Sequence, residues 1–331
     1  MQIFFNSILR FVFLFFAGCF VSPLIAENVS VVNWNLQTFF DGNTDGCEYS
    51  QFKKNDNWNS TAYTARLTRL CDAIQDMNAD IFVFEEIENE GVLYDISNQL
   101  AGNIWGTKKN LCHGCFKKNE GDAIGCGVLS RFPIEKVTVH NLYVQTENLK
   151  QPAMRPIMEV TLNLNNSSKL VLLINHWKSK SSGAEESEVW RNWQETVLCQ
   201  RFLNNKGRHT LACGDFNRDI YEFEISEICD FNEEKKTNLN LRNSFTNESF
   251  SVFSPWIKET GSMVTPGSYY YKNNWERIDH FFASPEIQIS YFSPVTDGPW
   301  SDGELYIPVR YKIYNGSGYS DHLPIICKIS F

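Results

Sequence analysis

The 331-residue chain lacks repeats and linkers that would indicate several domains, and it lacks a long hydrophobic run. It contains no internal repeat and no proline- or serine-rich linker. Its longest apolar run, 11–20, spans about half of the ~20 residues that a stable membrane-spanning helix requires. With 43% hydrophobic residues the chain can bury a substantial core. We therefore expect one domain, over residues 27–331.

The N-terminal segment has the composition of a targeting sequence. Arg10 is its only charge, and the apolar run 11–20 follows directly. The small residue Ala26 predicts cleavage after it, which gives a signal peptide over residues 1–26 and a secreted or periplasmic protein. Two alternatives remain, a lipid anchor on Cys19 after the imperfect lipobox "FAGC" and an uncleaved membrane anchor.

The chain also lacks an excess of basic residues. It has 30 Lys and Arg against 39 Asp and Glu, a net charge of −9, and loss of Arg10 with the signal peptide leaves 29 against 39, or −10. This balance argues against a protein that binds nucleic acid through its overall charge. It does not exclude an enzyme that binds a polyanion through local basic patches and metal ions.

Cysteine is present in numbers that suggest cross-linking. Ten cysteines occur in the chain, and nine remain beyond Ala26. Export predicts disulfide bonds, and an odd count leaves at least one thiol outside them. Cys112 and Cys115 could hold zinc, but no second pair follows at the spacing of a zinc finger. We therefore expect a disulfide-closed loop between them.

Apolar strands alternate with amphipathic segments along the predicted domain. Residues 31–36 predict a strand, and Ser60 or Thr61 can cap a helix that follows it. One face of that helix is apolar at a spacing of three and four: Leu67, Leu70, Cys71, Ile74 and Met77. The stretch "IFVFEEIEN" then predicts a buried strand that ends in carboxylates.

Further predicted strands also begin or end at polar side chains. His176 follows the apolar run 170–175, and "GDFN" follows the run 210–213. Asp279 comes after Ile278, and "SDH" precedes the last strand, 323–329. Polar residues therefore gather where the strands terminate.

Each of these residues has an ordinary structural explanation when it is taken alone. Asp215 and Asn217 could form an Asx-turn, Glu85 and Glu86 could be a solvated strand end, and His176 could be a hydrogen-bonded core histidine. Together they supply what is needed to hold a hard divalent cation, bind a phosphate and move protons. The combination therefore favours a catalytic site over five unrelated structural roles.

Seven segments occur in the order found in one enzyme superfamily: "NWNLQTFF", "DIFVFEEIEN", "LSRFPI", "LLINHWKSK", "LACGDFNRD", "ERIDHFFAS" and "YSDHLPI". Through them the chain, from residue 31 to 331, resembles the endonuclease/exonuclease/phosphatase superfamily and its secreted, pancreatic-deoxyribonuclease-like branch of bacterial-type extracellular nucleases. The resemblance implies an α+β fold, a four-layer αββα sandwich of two packed mixed β-sheets with outer helices. It places the active site at one end of the sheets.

The resemblance also implies which side chains bind the cation and the substrate. Glu86, Asn35 and Asp321 match the metal-binding positions, and Glu85 matches none of them. Asn217 and Arg155 match residues that contact the substrate phosphate, and Asn35 is a candidate for that role as well.

The resemblance assigns the proton-transfer chemistry to four side chains. His322 matches the general base, Asp279 the carboxylate that orients it, Asp215 a residue that carries a proton at the phosphate, and His176 a candidate general acid. Asp122 is a candidate partner for His176 by its proximity in sequence.

Two positions in the family segments stay open. Ile124 stands where many relatives have a tyrosine that contacts phosphate, so phosphate binding is expected to be rearranged here. Arg131 in "SRFPI" could serve either function or structure.

The implied reaction is attack of water on a phosphodiester, assisted by Mg²⁺, for which Mn²⁺ or Ca²⁺ can substitute. Lysines in "NHWKSK" and aromatics in "YYYKNNWERIDH" favour DNA as the substrate and hence a DNA endonuclease, although tyrosines 269–271 are also typical of a strand in a core. A sphingomyelinase-like enzyme or an inositol-phosphate phosphodiesterase or phosphatase is the alternative, and a non-catalytic binding module is a third interpretation. We expect a monomer.

Overall fold

The computed structural model describes residues 28–102, 111–144, 150–165, 168–225, 229–231, 234–236 and 238–331. The predicted signal peptide and Cys19 lie outside these residues. No helix in the described ranges combines the length and apolarity needed to cross a membrane.

Eighteen strands and four α-helices make up the described fold. They are β1 (Val29–Phe39), α1 (Ser50–Lys53), α2 (Ser60–Met77), β2 (Ile81–Ile87), α3 (Glu90–Gly102), β3 (His113–Lys117), β4 (Gly125–Ser130), β5 (Ile134–His140), β6 (Ile157–Asn163), β7 (Lys169–His176), α4 (Ala184–Asn204), β8 (Thr210–Asp215), β9 (Glu224–Ile225), β10 (Cys229–Phe231), β11 (Glu234–Lys236), β12 (Asn238–Arg242), β13 (Ser249–Phe253), β14 (Tyr269–Tyr271), β15 (Asn274–Glu276), β16 (Asp279–Ala283), β17 (Gln288–Pro294) and β18 (Ile325–Ser330). Short 3₁₀ turns cover Lys180–Ser182 and Ile220–Glu222.

Two mixed sheets face each other and confirm the predicted sandwich. The first has the order β17-β18-β1-β2-β4-β3, and the second has the order β5-β6-β7-β8-β16-β13-β12-β9. Within them β1 runs parallel to β2 and β7 runs parallel to β8, while the other strand pairs are antiparallel. Helices α2 and α3 cover the outer face of the first sheet, and α4 packs against the second.

Strand β1 shows how alternation of side chains separates the two cores. Val29 and Val31 belong to the core between the sheets, while Val32 and Trp34 face α2 and α3. Asn33 continues the inner face and donates to the fully buried carboxylate of Glu85 on β2, over 3.3 Å. Glu85 is therefore an interior residue, and the alternative of a solvated strand end is wrong for it.

Helix α2 matches its predicted apolar face but has a different cap. The side chain of Asn59 accepts the N–H groups of Thr61 and Ala62 at 3.0 and 3.1 Å, so Asn59, and not Ser60 or Thr61, is the N-cap. The helix ends at Asn78, which has the left-handed conformation typical of a C-terminal cap.

The predicted disulfide between Cys112 and Cys115 is wrong in this structure, where both thiols are free. Cys115 lies within β3 and Cys112 directly precedes it. At ~3.3 Å per residue, a separation of three in an extended chain puts their Cα atoms about 10 Å apart, beyond the reach of a disulfide. Six further described cysteines are also free: Cys47, Cys71, Cys126, Cys199, Cys213 and Cys327. The expectation of disulfide bonds therefore has no support.

Candidate active site

The ends of six strands bring the predicted site residues together. The carboxyl ends of β1, β2, β7 and β8 carry Asn35, Glu86, His176 and Asp215. Asp279 begins β16 directly opposite Asp215, because β16 is antiparallel to β8. The segment that leads into β18 supplies His322 in the same way.

These side chains surround one cavity of about 870 Å³. Six of the nine predicted residues line it: Glu86, Arg155, His176, Asn217, Asp321 and His322. The other three, Asn35, Asp215 and Asp279, are 1–2% exposed and contact residues of the lining from below. The structure thus brings the nine predicted residues together in one contiguous site. Their arrangement within it was not predicted from the sequence.

Glu86 reaches the cavity because the strand is irregular at that position. The pairing register of β2 shifts between Glu85 and Ile87, and Glu86 has a φ of 61°. A regular strand would turn Glu86 to the face opposite Glu85, toward the helices. The bulge redirects its carboxylate instead, a common function of bulges beside active sites.

The Glu86 carboxylate is held by two donors. Oε2 accepts the backbone N–H of Thr38 at 2.7 Å, and Oε1 lies 3.3 Å from Nδ2 of Asn35. The Asn35 amide also donates to Asp215 over 3.0 Å, while its oxygen accepts the N–H of Gln37. Asn35 therefore positions the two carboxylates in this structure.

The donor set fits a hard divalent cation, for which Mg²⁺ is the example expected from the sequence. Mg²⁺ in proteins takes one or two carboxylates and completes its shell with water and substrate phosphate. Glu86 offers such a carboxylate at the wall of the cavity, with 20% of its side chain exposed. Asp321 lines the same cavity but pairs with Arg310 at 2.7 Å, so it would have to exchange that partner to bind a cation.

His322 and Asp279 form a buried pair. Nδ1 of His322 lies 2.9 Å from Oδ2 of Asp279, which leaves Nε2 without a partner in the described structure. The indole of Trp34 donates to the His322 carbonyl, and the ring of Tyr269 lies 4.7 Å away. The first contact holds the His322 backbone in place, and the second packs an aromatic ring against the imidazole.

The charges around His322 favour its protonated form. Burial alone lowers the pKa of His322, but Asp279, followed by Asp215 and Asp321, raises it well above its usual value. The Asp279 carboxylate therefore stabilises the imidazolium that forms when His322 accepts a proton.

Asp215 and His176 are neighbours on parallel strands. Burial is the main cause that raises the pKa of Asp215 to about 7, so this carboxyl group can carry a proton near neutrality. Asp215 also accepts the N–H of Asn217 at 2.8 Å, which is the Asx-turn anticipated from the sequence. Nε2 of His176 lies 3.7 Å from Asp215 and from Glu86.

Asp122 does not orient His176. Nδ1 of His176 is buried and has no hydrogen-bond partner, so the predicted contact between the two is wrong. Burial, followed by the positive charge of Arg155, lowers the pKa of His176 well below its usual value. His176 is therefore neutral near pH 7 and can donate a hydrogen bond to a phosphate oxygen, but it is a poor source of a proton.

Several residues at the cavity were not predicted. They are Gln37, Thr38 and Arg310, while Lys272 and Glu276 lie in the segment "YYYKNNWERIDH" that was expected near the substrate. Tyr269 and Tyr271 also line it, and Tyr271 is 50% exposed, so the expectation of core tyrosines is wrong for this pair. The run "YYYK" was the sequence signal for the tyrosines and Lys272, whereas no motif in the sequence pointed to Arg310.

The two open positions have structural roles. Ile124 is 2% exposed in the outer core of the first sheet, so it cannot replace the tyrosine of relatives at a phosphate. Arg131 pairs with Asp80 at 2.7 Å and is structural.

The close approach of β7 and β8 depends on Gly214, which precedes Asp215. Its φ is +140°, and a Cβ would lie 1.9 Å from the carbonyl oxygen of Asn175. We expect Gly214→Ala to lower the free energy of unfolding by about 2–5 kcal/mol, because both backbone strain and a clash are introduced. Urea denaturation measures this.

Gly207→Ala is the matched control. Gly207 also has a positive φ, +79°, but no atom lies within 4 Å of its added Cβ. It should lose only the ~1 kcal/mol typical of a side chain in this region. Equal losses in the two variants would show that the clash with the Asn175 carbonyl adds nothing to the cost of the Gly214 substitution.

Comparison with known proteins identifies the family. The sequence profile of the Endonuclease/Exonuclease/phosphatase family matches residues 32–322. No curated protein gives a significant sequence match. Solved structures share the fold at low identity.

Three of these structures illustrate the likeness. A humanized D. rerio TDP2 aligns with a TM-score of 0.55 at 14% identity, over 92% of this chain and 99% of that one. The catalytic domain of human Nocturnin aligns at 0.54 and 14%, over 93% and 97%. A family protein from Bacteroides thetaiotaomicron aligns at 0.53 and 14%, over 92% and 98%. The chain belongs to the Endonuclease/Exonuclease/phosphatase family.

Proposed function

We propose that this protein is a secreted, magnesium-dependent phosphodiesterase that cleaves DNA internally. One observation carries the proposal, the convergence of Glu86, His176, Asp215 and the His322–Asp279 pair on a single cavity. The deoxyribonuclease-like branch, the choice of DNA and the choice of Mg²⁺ go beyond the family membership. The cationic and aromatic residues of the cavity wall support the choice of DNA, and the Glu86 carboxylate supports the choice of Mg²⁺.

The residues divide the work of hydrolysis between them. A phosphate in the cavity would meet Arg155, Asn217 and neutral His176 as donors. In its neutral form, His322 would accept the proton of the attacking water at Nε2, while Asp279 stabilises the resulting charge. Asp215, with its pKa near 7, can donate a hydrogen bond to a phosphoryl oxygen or the leaving group. A Mg²⁺ ion held by Glu86 would counter negative charge that develops at the phosphate.

The rim of the cavity favours a nucleic-acid chain. Lys180, Lys272 and Arg310 lie on it, although Lys180 pairs with Glu222 and Arg310 with Asp321. Tyr269 and Tyr271 add aromatic faces. Cations that track a phosphate backbone and rings that stack on bases are the recurring features of single-stranded or distorted nucleic-acid sites.

A substrate panel tests the choice of substrate. The purified protein is incubated in Mg²⁺ with supercoiled plasmid, with RNA and with sphingomyelin vesicles. We expect nicked plasmid, because a circular substrate has no ends and only an endonuclease can open it. Release of phosphocholine without nicking would favour the lipid enzyme, and inactivity on every substrate would favour a binding module.

We further propose that residues 1–26 direct export, on the composition of that segment. Expression of the full chain, followed by fractionation and mass analysis, tests this. A soluble product that begins at Glu27 supports the proposal. A lipid-modified product that begins at Cys19, or an uncleaved cytoplasmic chain, overturns it.

A further inference from the structure

A second group of carboxylates lies outside the cavity, in the loop after β1. Ligand oxygens of Asp45, Glu48 and Glu88 all lie within 4.8 Å of one another. Glu48 is 3% exposed and Glu88 is 1% exposed, whereas Asp45 is exposed. The group therefore combines two buried acids with one exposed acid, and none of its members lines the catalytic cavity.

Glu88 lacks a full set of partners. Its Oε2 accepts the backbone N–H of Asp41 at 2.6 Å, but its Oε1 accepts no hydrogen bond from the described residues. No Lys or Arg of the described ranges forms an ion pair with Asp45, Glu48 or Glu88, and Lys53 donates to the Gly46 carbonyl instead. Glu48 is stabilised by the N–H groups of Asp45 and Gly46, at 2.6 and 3.0 Å from its two oxygens, so the free oxygen of the buried Glu88 is the position that favours a bound cation.

The loop sequence matches a cation-binding pattern. Residues 41–48 read "DGNTDGCE", so Asp41, Asn43 and Asp45 alternate and Gly46 follows. This is the order of the first six positions of the calcium loop D-x-[DN]-x-[DN]-G, in which the glycine permits the sharp turn. Gly46 has a φ of +99°, which fulfils that requirement.

The remaining ligands come from elsewhere in the fold. The twelfth position of a standard calcium loop is a glutamate that binds through both oxygens, but here it is Phe52. Glu88, which follows β2, lies where such a carboxylate is needed, and its N–H is bonded to the Phe39 carbonyl at 3.1 Å. Glu88, from a segment distant in the sequence, thus supplies the carboxylate that position 12 of the loop lacks.

We propose that Asp45, Glu48 and Glu88, with the 41–46 loop, form a Ca²⁺ site distinct from the catalytic magnesium site. Ca²⁺ accepts six to eight oxygens in flexible geometry, which suits several carboxylates and loop carbonyls better than the strict octahedron of Mg²⁺ does. The bound ion neutralises the buried acids and joins the β1 loop to the turn after β2. The site is structural, since it lies outside the reacting cavity.

Thermal unfolding with added metal tests the proposal. Wild type and Glu86→Gln are melted in 1 mM Mg²⁺ with Ca²⁺ from 0.01 to 10 mM, and bound calcium is counted by equilibrium dialysis. We expect Ca²⁺ to raise the Tm of both proteins by about 3–6 °C, with one ion bound per chain. Because Glu86→Gln removes the catalytic carboxylate, a shift that persists in it cannot arise from the active site.

Two variants locate the ion. Asp45→Asn alters an exposed ligand and should fold, and Glu88→Gln removes the buried charge; both should lose the calcium shift and the bound ion. Glu120→Gln, an exposed carboxylate outside the group, should keep them. The proposal fails if Ca²⁺ leaves the wild-type Tm unchanged, or if the shift survives in both Asp45→Asn and Glu88→Gln. Neither result depends on whether the protein cleaves DNA.

Discussion

Replacement of Glu86 by glutamine is expected to lower the rate of phosphodiester cleavage by about 10²–10⁴ at saturating Mg²⁺. Charge stabilisation by a bound cation supplies several kcal/mol of transition-state stabilisation, and each 1.36 kcal/mol is a factor of ten in rate. Glu86 is the carboxylate that the bulge of β2 turns into the cavity, so loss of its charge should weaken cation binding there. Turnover measured across a Mg²⁺ titration checks this.

Glu276→Gln provides the control for that measurement, because Glu276 is another carboxylate that lines the cavity. It should stay within a few-fold of wild type. A Glu86→Gln protein with normal turnover and an unchanged Mg²⁺ dependence would remove Glu86 from the metal site.

The second large effect is expected at the His322–Asp279 pair. Loss of a general base costs about 10²–10⁴ in rate, so His322→Ala should lower turnover by that factor and affect the substrate Kd less. Asp279→Asn should also slow the reaction, because an amide at 2.9 Å from Nδ1 favours the wrong tautomer and no longer stabilises the imidazolium. The double variant should be little worse than the single ones, since the two residues act as a unit.

A purely structural role for His322 makes a different prediction. His322 is 6% exposed and its ring lies 4.7 Å from the Tyr269 ring, so its replacement could simply weaken packing. In that case Tm would fall while turnover per folded molecule stayed normal. Additive rate losses in the double variant would likewise contradict the paired mechanism.

The ordered family segments implied the fold, and a short-range pattern implied that the candidate site residues would lie close together. The buried strands are continuous apolar runs, and polar residues stand at their ends, as at His176 and Asp215. In a sandwich whose central strands run parallel in pairs, such ends meet at one edge. The ordered family segments then supplied the assignments.

The arrangement within the site depended on local backbone geometry that no pattern encodes. Gln37, Thr38 and Glu86 have positive φ values, which redirect their side chains and N–H groups from where regular strands would put them. Asn35 donates to Glu86 and Asp215 in this structure, and its assignment as a metal or phosphate ligand stays a prediction.

Contacts between segments that are distant in the sequence could not be predicted either. Arg310 meets Asp321 and Glu88 joins the 41–46 loop only because the fold brings separate loops together. The cysteine prediction failed for the opposite reason. Cys112 and Cys115 are close in sequence, but the extended backbone of this segment separates their Cα atoms by about 10 Å.

Conversion of supercoiled plasmid to open circles by the wild-type protein tests the central claim most directly. The rate is measured in Mg²⁺, after chelation with EDTA, and after Mg²⁺ is restored in excess. The site described here predicts nicking in Mg²⁺, its loss with EDTA and its return with added Mg²⁺. Nicking that continues at the same rate in EDTA, or intact plasmid under every condition, would contradict a metal-dependent DNA endonuclease.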